Sequence, residues 1–184
     1  MKTLSLLCVT LLGMSLATAA QAQASAESQL RQAATGASFK IGDTEFRLAP
    51  SAVVAPATAD TDPAQTIVGG KYAVSLGNAA APARAKRSVA ADAPASKLAA
   101  AVSESGVPAV VTSSINVYFN EPSVLADAVR STGGKLTYSS DIGGKGTIEF
   151  GSVAEAIEAV GKLQGKAGIK EVSPQIEQLE NILL

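Results

Sequence analysis

Residues 114–184 carry the pattern that most constrains the fold. Four short stretches there have apolar residues at every second position, as strands do, and two stretches between them have helical spacing. Pro122 opens the first predicted helix, and Ser152 is the predicted N-cap of the second, with Glu155 three residues later in a capping box. This β-α-β-β-α-β order predicts a ferredoxin-like α+β domain with two helices on one sheet face and the other face open.

We expect a partner to dock on the open face of that sheet. Two carboxylates, Glu149 and Glu171, fall on predicted strands and are candidates to contact a partner, for example by capping the N-terminus of one of its helices. Solvated carboxylates on a strand face are common, so the simpler interpretation of an ordinary wetted surface stays open.

The last residues of the chain allow three interpretations. Ser173 can cap and Pro174 can start a short helix that packs on the sheet, or the last strand can simply run on. In the third interpretation an extended tail enters a groove of a partner and Leu184 fills a pocket there.

Residues 23–76 predict a small N-terminal all-β region. A two-residue turn at Gly42-Asp43 would place Phe39 opposite Phe46 in a hairpin. A further strand region is predicted over 66–76, where apolar residues alternate with polar ones after a pair of glycines.

Residues 77–113 change character, because they are rich in Ala and Pro and contain no aromatic residue. This composition predicts a solvated linker between the two regions. Residues 96–104 within it have the composition of a short Ala-rich helix, although isolated helices of that length are marginal in water.

Residues 1–22 resemble a secretory signal peptide in their layout. Lys2 supplies the positive charge, an apolar run extends to Leu16, and Ala20-Gln21-Ala22 provides the small residues of a cleavage site. The run is too short for a transmembrane anchor. We therefore expect a secreted or periplasmic protein with no membrane anchor.

The composition excludes several functional classes. The chain has no histidine and only one cysteine, Cys8, which argues against a Ser-His-Asp triad, a Cys-His pair and the usual zinc sites. A net charge of −1 argues against nucleic-acid binding. We expect no enzyme activity, no cofactor and no metal, which leaves binding and interaction proteins.

The motifs of residues 114–177 resemble those of the pro-domain and inhibitor family of subtilisin-like serine proteases. They are Ile115–Phe119, Gly133-Gly134-Lys135-Leu136, Gly146–Phe150 and Ile169-Lys170-Glu171-Val172 closing on Ile176-Glu177. The stretch Val172-Ser173-Pro174 departs from the family pattern at the end of the last strand. With a signal peptide, a small β region and no protease domain on the chain, the sequence resembles the stand-alone external chaperones of secreted bacterial subtilisin-like proteases.

The resemblance implies a secreted intermolecular chaperone and inhibitor of a subtilisin-like serine protease. The open sheet face would dock on the protease, and a C-terminal tail would enter its active-site cleft as a product-like peptide, with Leu184 in the main specificity pocket. The residues of that tail are Asn181, Ile182, Leu183 and Leu184.

Two other functions stay open at this stage. A ferredoxin-like module can bind a small ligand between helices and sheet, which predicts polar residues converging in a pocket. A structural or assembly protein of the cell envelope would instead use its sheet edges and form oligomers in the absence of any protease.

Overall fold

The computed structural model describes residues 16–58, 61, 66–76 and 96–179. Three helices and ten strands occur in these ranges. In chain order they are α1 (Leu16–Ala33), β1 (Ser38–Ile41), β2 (Thr44–Leu48), β3 (Ala52–Pro56), β4 (Thr66–Gly69), β5 (Tyr72–Leu76), β6 (Leu98–Ser103), β7 (Pro108–Phe119), α2 (Pro122–Thr132), β8 (Lys135–Ser140), β9 (Lys145–Glu149), α3 (Val153–Leu163) and β10 (Ile169–Gln178).

The strands form two antiparallel sheets. The main sheet has seven strands in the order β1-β2-β6-β7-β9-β8, with β10 also paired to β7, and the small sheet has the order β3-β5-β4. Strand β7 has three partner strands, and Ser113 lies where two of them meet. Its N–H donates to the carbonyl of Lys97, just before β6, and its carbonyl accepts from the N–H of Phe150, just after β9. Both groups of one strand residue point to the same side, so β6 and β9 follow each other along one edge of β7 while β10 covers the other edge.

The predicted ferredoxin-like α+β fold is wrong. The six predicted elements occur in the predicted order, but they do not form a separate four-stranded domain. The chain is mostly β, and β7 belongs to a curled seven-stranded antiparallel sheet, a half-barrel, that also contains β1, β2 and β6. The periodicity of residues 114–184 could not show these additions, because the added strands come from elsewhere in the chain.

The predicted linker is also wrong for residues 98–103 and 108–113, which form β6 and the first half of β7. Residues 77–95 lie outside the described residues. Ala100, Ala101 and Ala109 are completely buried in the sheet. Small side chains fit where the sheet is covered on both faces, so tertiary packing overrides the helical preference of this Ala-rich segment.

The N-terminal hairpin is confirmed in its register. Phe39 lies opposite Phe46, and the two rings stack with centroids 5.6 Å apart. Gly42 has φ 56°, a left-handed conformation that the two-residue turn requires and that glycine adopts without strain. Residues 66–76 are strands β4 and β5 joined by a tight turn, and the sequence analysis did not predict β3, which pairs with the other edge of β5.

The last strand continues through Pro174. The first interpretation, a helix starting there, is therefore wrong, and the second, in which the strand runs on, holds as far as Gln178. Pro174 lies opposite Ile115. The odd-numbered residues of β7 direct their backbone groups to the edge shared by β6 and β9, so the position opposite Ile115 needs no N–H toward β7.

The two faces of the main sheet are covered differently. On the concave face, α2 and α3 pack over a core that includes Ile115, Val117 and Ile148. On the convex face, α1 and the small sheet cover β6 and the first half of β7, where Leu30 and Val110 are buried in one cluster. The convex face of β8, β9 and the second half of β7 carries no such layer among the described residues.

Helix α1 runs through residue 22, the end of the predicted signal peptide, and residues 1–15 lie outside the described residues. Within the described part of the chain, no helix combines the length and apolar character that crossing a membrane requires.

Candidate functional site: the open face of the main sheet

We call the uncovered convex region the open face, and its residues follow from strand alternation. Along the second half of β7, Ile115, Val117 and Phe119 are buried on the concave side, whereas the residues between them are half-exposed on the convex side. Cross-strand partners of those half-exposed residues share their face. The exposed or partly exposed residues of the open face are Ser114, Asn116, Tyr118, Lys135, Tyr138, Ser140, Lys145, Thr147, Glu149 and Glu171.

The centre of the open face is polar and internally ordered. The Thr147 hydroxyl donates to the Asn116 side-chain carbonyl over 3.2 Å. The Lys145 ammonium lies 5.5 Å from the centre of the Tyr118 ring, a cation–π distance. Aromatic and amide groups on a rigid sheet suit contact with the surface of another protein better than enclosure of a small molecule.

Glu149 lies on the open face, where its carboxylate already forms an ion pair. Its carboxylate is 2.6 Å from the ammonium of Lys97, which precedes β6, and its side chain is about one-third exposed. The hydrogen bond and the charge of Lys97 lower the pKa of Glu149, and the charge of Lys135 acts in the same direction. The pair connects the two branches of the sheet where β6 and β9 meet on β7.

Glu171 also lies on the open face, opposite Tyr118, and is exposed. Glu149 lies opposite Ser114, so the two carboxylates flank β7 at positions four residues apart, about 13 Å along the strand. The structure therefore does not bring them together. They are too far apart to act as an acid/base pair in one reaction, and of the two only Glu171 is without an ion pair among the described residues.

The predicted tail, Asn181, Ile182, Leu183 and Leu184, lies outside the described residues. The structure does show where the chain leaves β10. Leu179 is buried, and its N–H donates to the Pro108 carbonyl over 3.1 Å. Glu177 forms an ion pair of 2.7 Å with Lys71 in the turn of the small sheet, and this interaction raises the pKa of Lys71.

Gly69 makes the closest contact at this exit. A Cβ built on Gly69 would lie 2.6 Å from the Cα of Leu179, so the backbone of the small sheet touches the end of β10 directly. Sequence reasoning missed the roles of Gly69 and Lys71. The sequence analysis used the adjacent glycines only to mark where the alternating residues begin, and nothing local indicated a contact more than a hundred residues away.

A depression of about 440 Å³ lies beside Glu149, between the end of α2 and the start of α3. It bears on the small-ligand alternative, but its charged groups interact mainly with each other. Glu158 pairs with Lys162 over 2.7 Å, and Glu155 accepts from the Gly151 N–H. In the part of the chain that the structure describes, no group of three or more His, Cys, Asp or Glu is placed to hold a metal ion.

Comparison of the chain with protein-family models, with curated proteins and with solved structures finds no match.

Proposed function

We propose that the protein is an intermolecular chaperone and inhibitor of a subtilisin-like serine protease, which it contacts through the open face and through its C-terminal tail. The observation that carries this proposal is the course of β10. One end of this strand borders the open face at Glu171. The other end is followed by the buried Leu179, and the tail residues come next but one in the sequence.

Leu179, the last described residue, is firmly anchored. The Lys71–Glu177 ion pair, the hydrogen bond of Leu179 to Pro108 and the contact with Gly69 hold the chain at the last described residue. A peptide that leaves from a fixed point loses less conformational entropy when it enters a groove than one attached by a long flexible linker. This is a physical reason for the small N-terminal sheet in an inhibitor.

The open face supports a second contact. From Glu171 to Leu179 the chain covers about 27 Å of extended strand. A typical protein interface of about 800 Å² per partner is wide enough to include both the open face and the end of β10. The tail ends in apolar residues, which suits a protease with an apolar specificity pocket.

One complex accounts for both activities. Binding the native protease but not its unfolded chain stabilises the native state by mass action, and the occupied cleft is inhibited for as long as the complex lasts. To accelerate folding, the protein must also bind the transition state for protease folding.

The test is an inhibition assay with a secreted subtilisin-type protease and a small chromogenic peptide. We expect saturable inhibition by the intact chain and a loss of at least about tenfold in affinity when Leu183 and Leu184 are both changed to Ser, because an apolar side chain no longer fills the pocket.

The matched control is Val53→Ser, which removes an exposed apolar side chain from the small sheet and should leave inhibition unchanged. Far-UV circular dichroism verifies that every variant is folded. An intact, folded protein that leaves the protease fully active at large molar excess would overturn the proposal.

A further inference from the structure

Strand β8 forms an uncovered edge of the main sheet. The order of strands ends at β8, and no described strand or helix pairs with its outer side. The opposite ends of the curled sheet are different, because Ile41 of β1 and Ile176 of β10 pack into the same apolar cluster. The β1 and β10 edges therefore approach each other, and β8 is the end that faces away.

Exposed apolar side chains concentrate at this edge. Leu136 is 42 % exposed, Tyr138 is 53 % exposed and Ile142, in the turn after β8, is fully exposed. Only two other large hydrophobic residues in the described ranges are exposed to this degree, so three of five fall within seven consecutive residues. Leu136 lies opposite the buried Ile148 and Tyr138 lies opposite Thr147, so their side chains lie on opposite faces of the same edge strand. An exposed apolar segment along an unpaired edge is a template for pairing with another chain.

The two long edges of the sheet are protected to different degrees. An unpaired edge usually carries proline, charge or irregular backbone, which prevents pairing with another chain. β10 has Pro174 at its centre and two register shifts. β8 has one register shift, no proline and no charged residue from Leu136 through Ser140.

We propose that β8 pairs with β8 of a second copy of this chain, antiparallel and about a two-fold axis near Tyr138. The charges at the two ends of the strand select this occupant. Lys135 begins β8 and Asp141 follows it, so antiparallel pairing brings Lys135 of each copy close to Asp141 of the other. Both ends then carry an attractive pair, and the uncharged middle pairs with itself.

Lys135 can make this contact without losing an essential one. Within its own chain it lies opposite Glu149, and the Glu149 carboxylate already binds Lys97 at 2.6 Å. A two-fold axis makes every contact twice, so a single substitution in the chain changes the interface at two places. This pairing does not depend on the proposed protease partner.

The experiment measures the mass of the full chain by light scattering and sedimentation over a wide range of concentrations. We expect a concentration-dependent dimer. Either Lys135→Asp or Asp141→Lys alone places like charges at both ends and should raise the dimer dissociation constant about tenfold, and the double variant should restore it.

Tyr138→Asp should abolish the dimer, because it places two carboxylates at the axis. Val53→Asp is the control, since Val53 is exposed to the same degree on the small sheet and should leave the dimer intact. An intact chain that stays monomeric at every concentration overturns the proposal, as does a dimer that tolerates Tyr138→Asp. If Tyr138→Asp does not fold, the charge-swapped double variant provides the test. A dimer restored by the double variant supports the proposal, and a folded double variant that stays monomeric overturns it.

Discussion

The two halves of β7 belong to one strand but have opposite surroundings. In the first half, the neighbours Val110 and Val111 are both completely buried, because the small sheet and α1 cover one face and the core of the half-barrel covers the other. In the second half, Ile115 is completely buried while the adjacent Asn116 is half-exposed on the open face.

The two halves of β7 therefore serve different purposes, one in holding the fold together and the other in presenting a surface. A run of consecutive apolar residues is the sequence of a strand that is buried on both faces, and alternation is that of a strand with one wet face. The first half of β7 holds the layers of the protein together. The second half leaves a rigid polar surface, which is the part we propose for binding.

The largest effect on stability is expected from substitutions at two adjacent residues of β7 that lie on opposite faces of the sheet. Ile115→Ala should lower the free energy of unfolding by about 2–5 kcal/mol, since it leaves a cavity in a closely packed core. Asn116→Ala, one residue further on the open face, removes only the hydrogen bond from Thr147 and should lower it by about 1 kcal/mol. Urea denaturation of the two variants measures both values. Equal losses at the two positions would mean that the open face is covered.

A smaller effect is expected where the small sheet touches the end of β10. Gly69→Ala should destabilise the protein by about 1–3 kcal/mol, because the new Cβ would collide with the backbone of Leu179. Gly161→Ala is the matched control. Gly161 lies in α3 with open space around it, so the same change should stabilise the helix by up to about 1 kcal/mol.

Thermal unfolding of these two glycine variants measures both effects. If Gly69→Ala proves as harmless as the control, the small sheet does not hold the exit of the tail.

The smallest effect on stability is expected from the Lys97–Glu149 ion pair, which lies at the border between the two halves of β7. The pKa of Glu149 is lowered by Lys97, so the ion pair contributes stability above the usual pKa of a glutamate and loses it as the pH falls through the lowered value. The difference in melting temperature between the intact chain and Glu149→Gln should therefore be largest near neutral pH and shrink below about pH 4.

Glu171→Gln is the control for that titration. Glu171 also lies on the open face, and the described residues show no ion pair for it. Its substitution should change the melting temperature little at any pH. A pH-dependent loss equal to that of Glu149→Gln would assign the effect to the net charge of the face and not to the Lys97 pair.

Local features were predictable because neighbours in sequence decide them. The Phe39–Phe46 register follows from the length of its turn. At the start of α3, Ser152 accepts from the Glu155 N–H over 3.2 Å, as the capping pattern predicts, although the Glu155 carboxylate reaches back to Gly151. Each of these contacts spans seven residues or fewer.

Contacts between distant segments were not predictable in the same way. The Ala-rich segment was interpreted as a linker because alanine has little preference for strands, and only the space between β2 and β7 makes a strand of it. Glu149 stays a predicted contact for a partner, and its ion pair with Lys97, 52 residues away, left no local signal. The tail residues remain a prediction.

By itself the sequence of residues 114–179 determined the order of the elements and which side of each strand is apolar, since turn chemistry, caps and alternation act over a few residues. Only the tertiary structure decided that β7 is shared by a seven-stranded half-barrel, that a small sheet holds Leu179, and that β8 is left as an edge. The physical reason is that apolar burial is non-directional. It specifies that a face must be covered, and the rest of the chain decides what covers it.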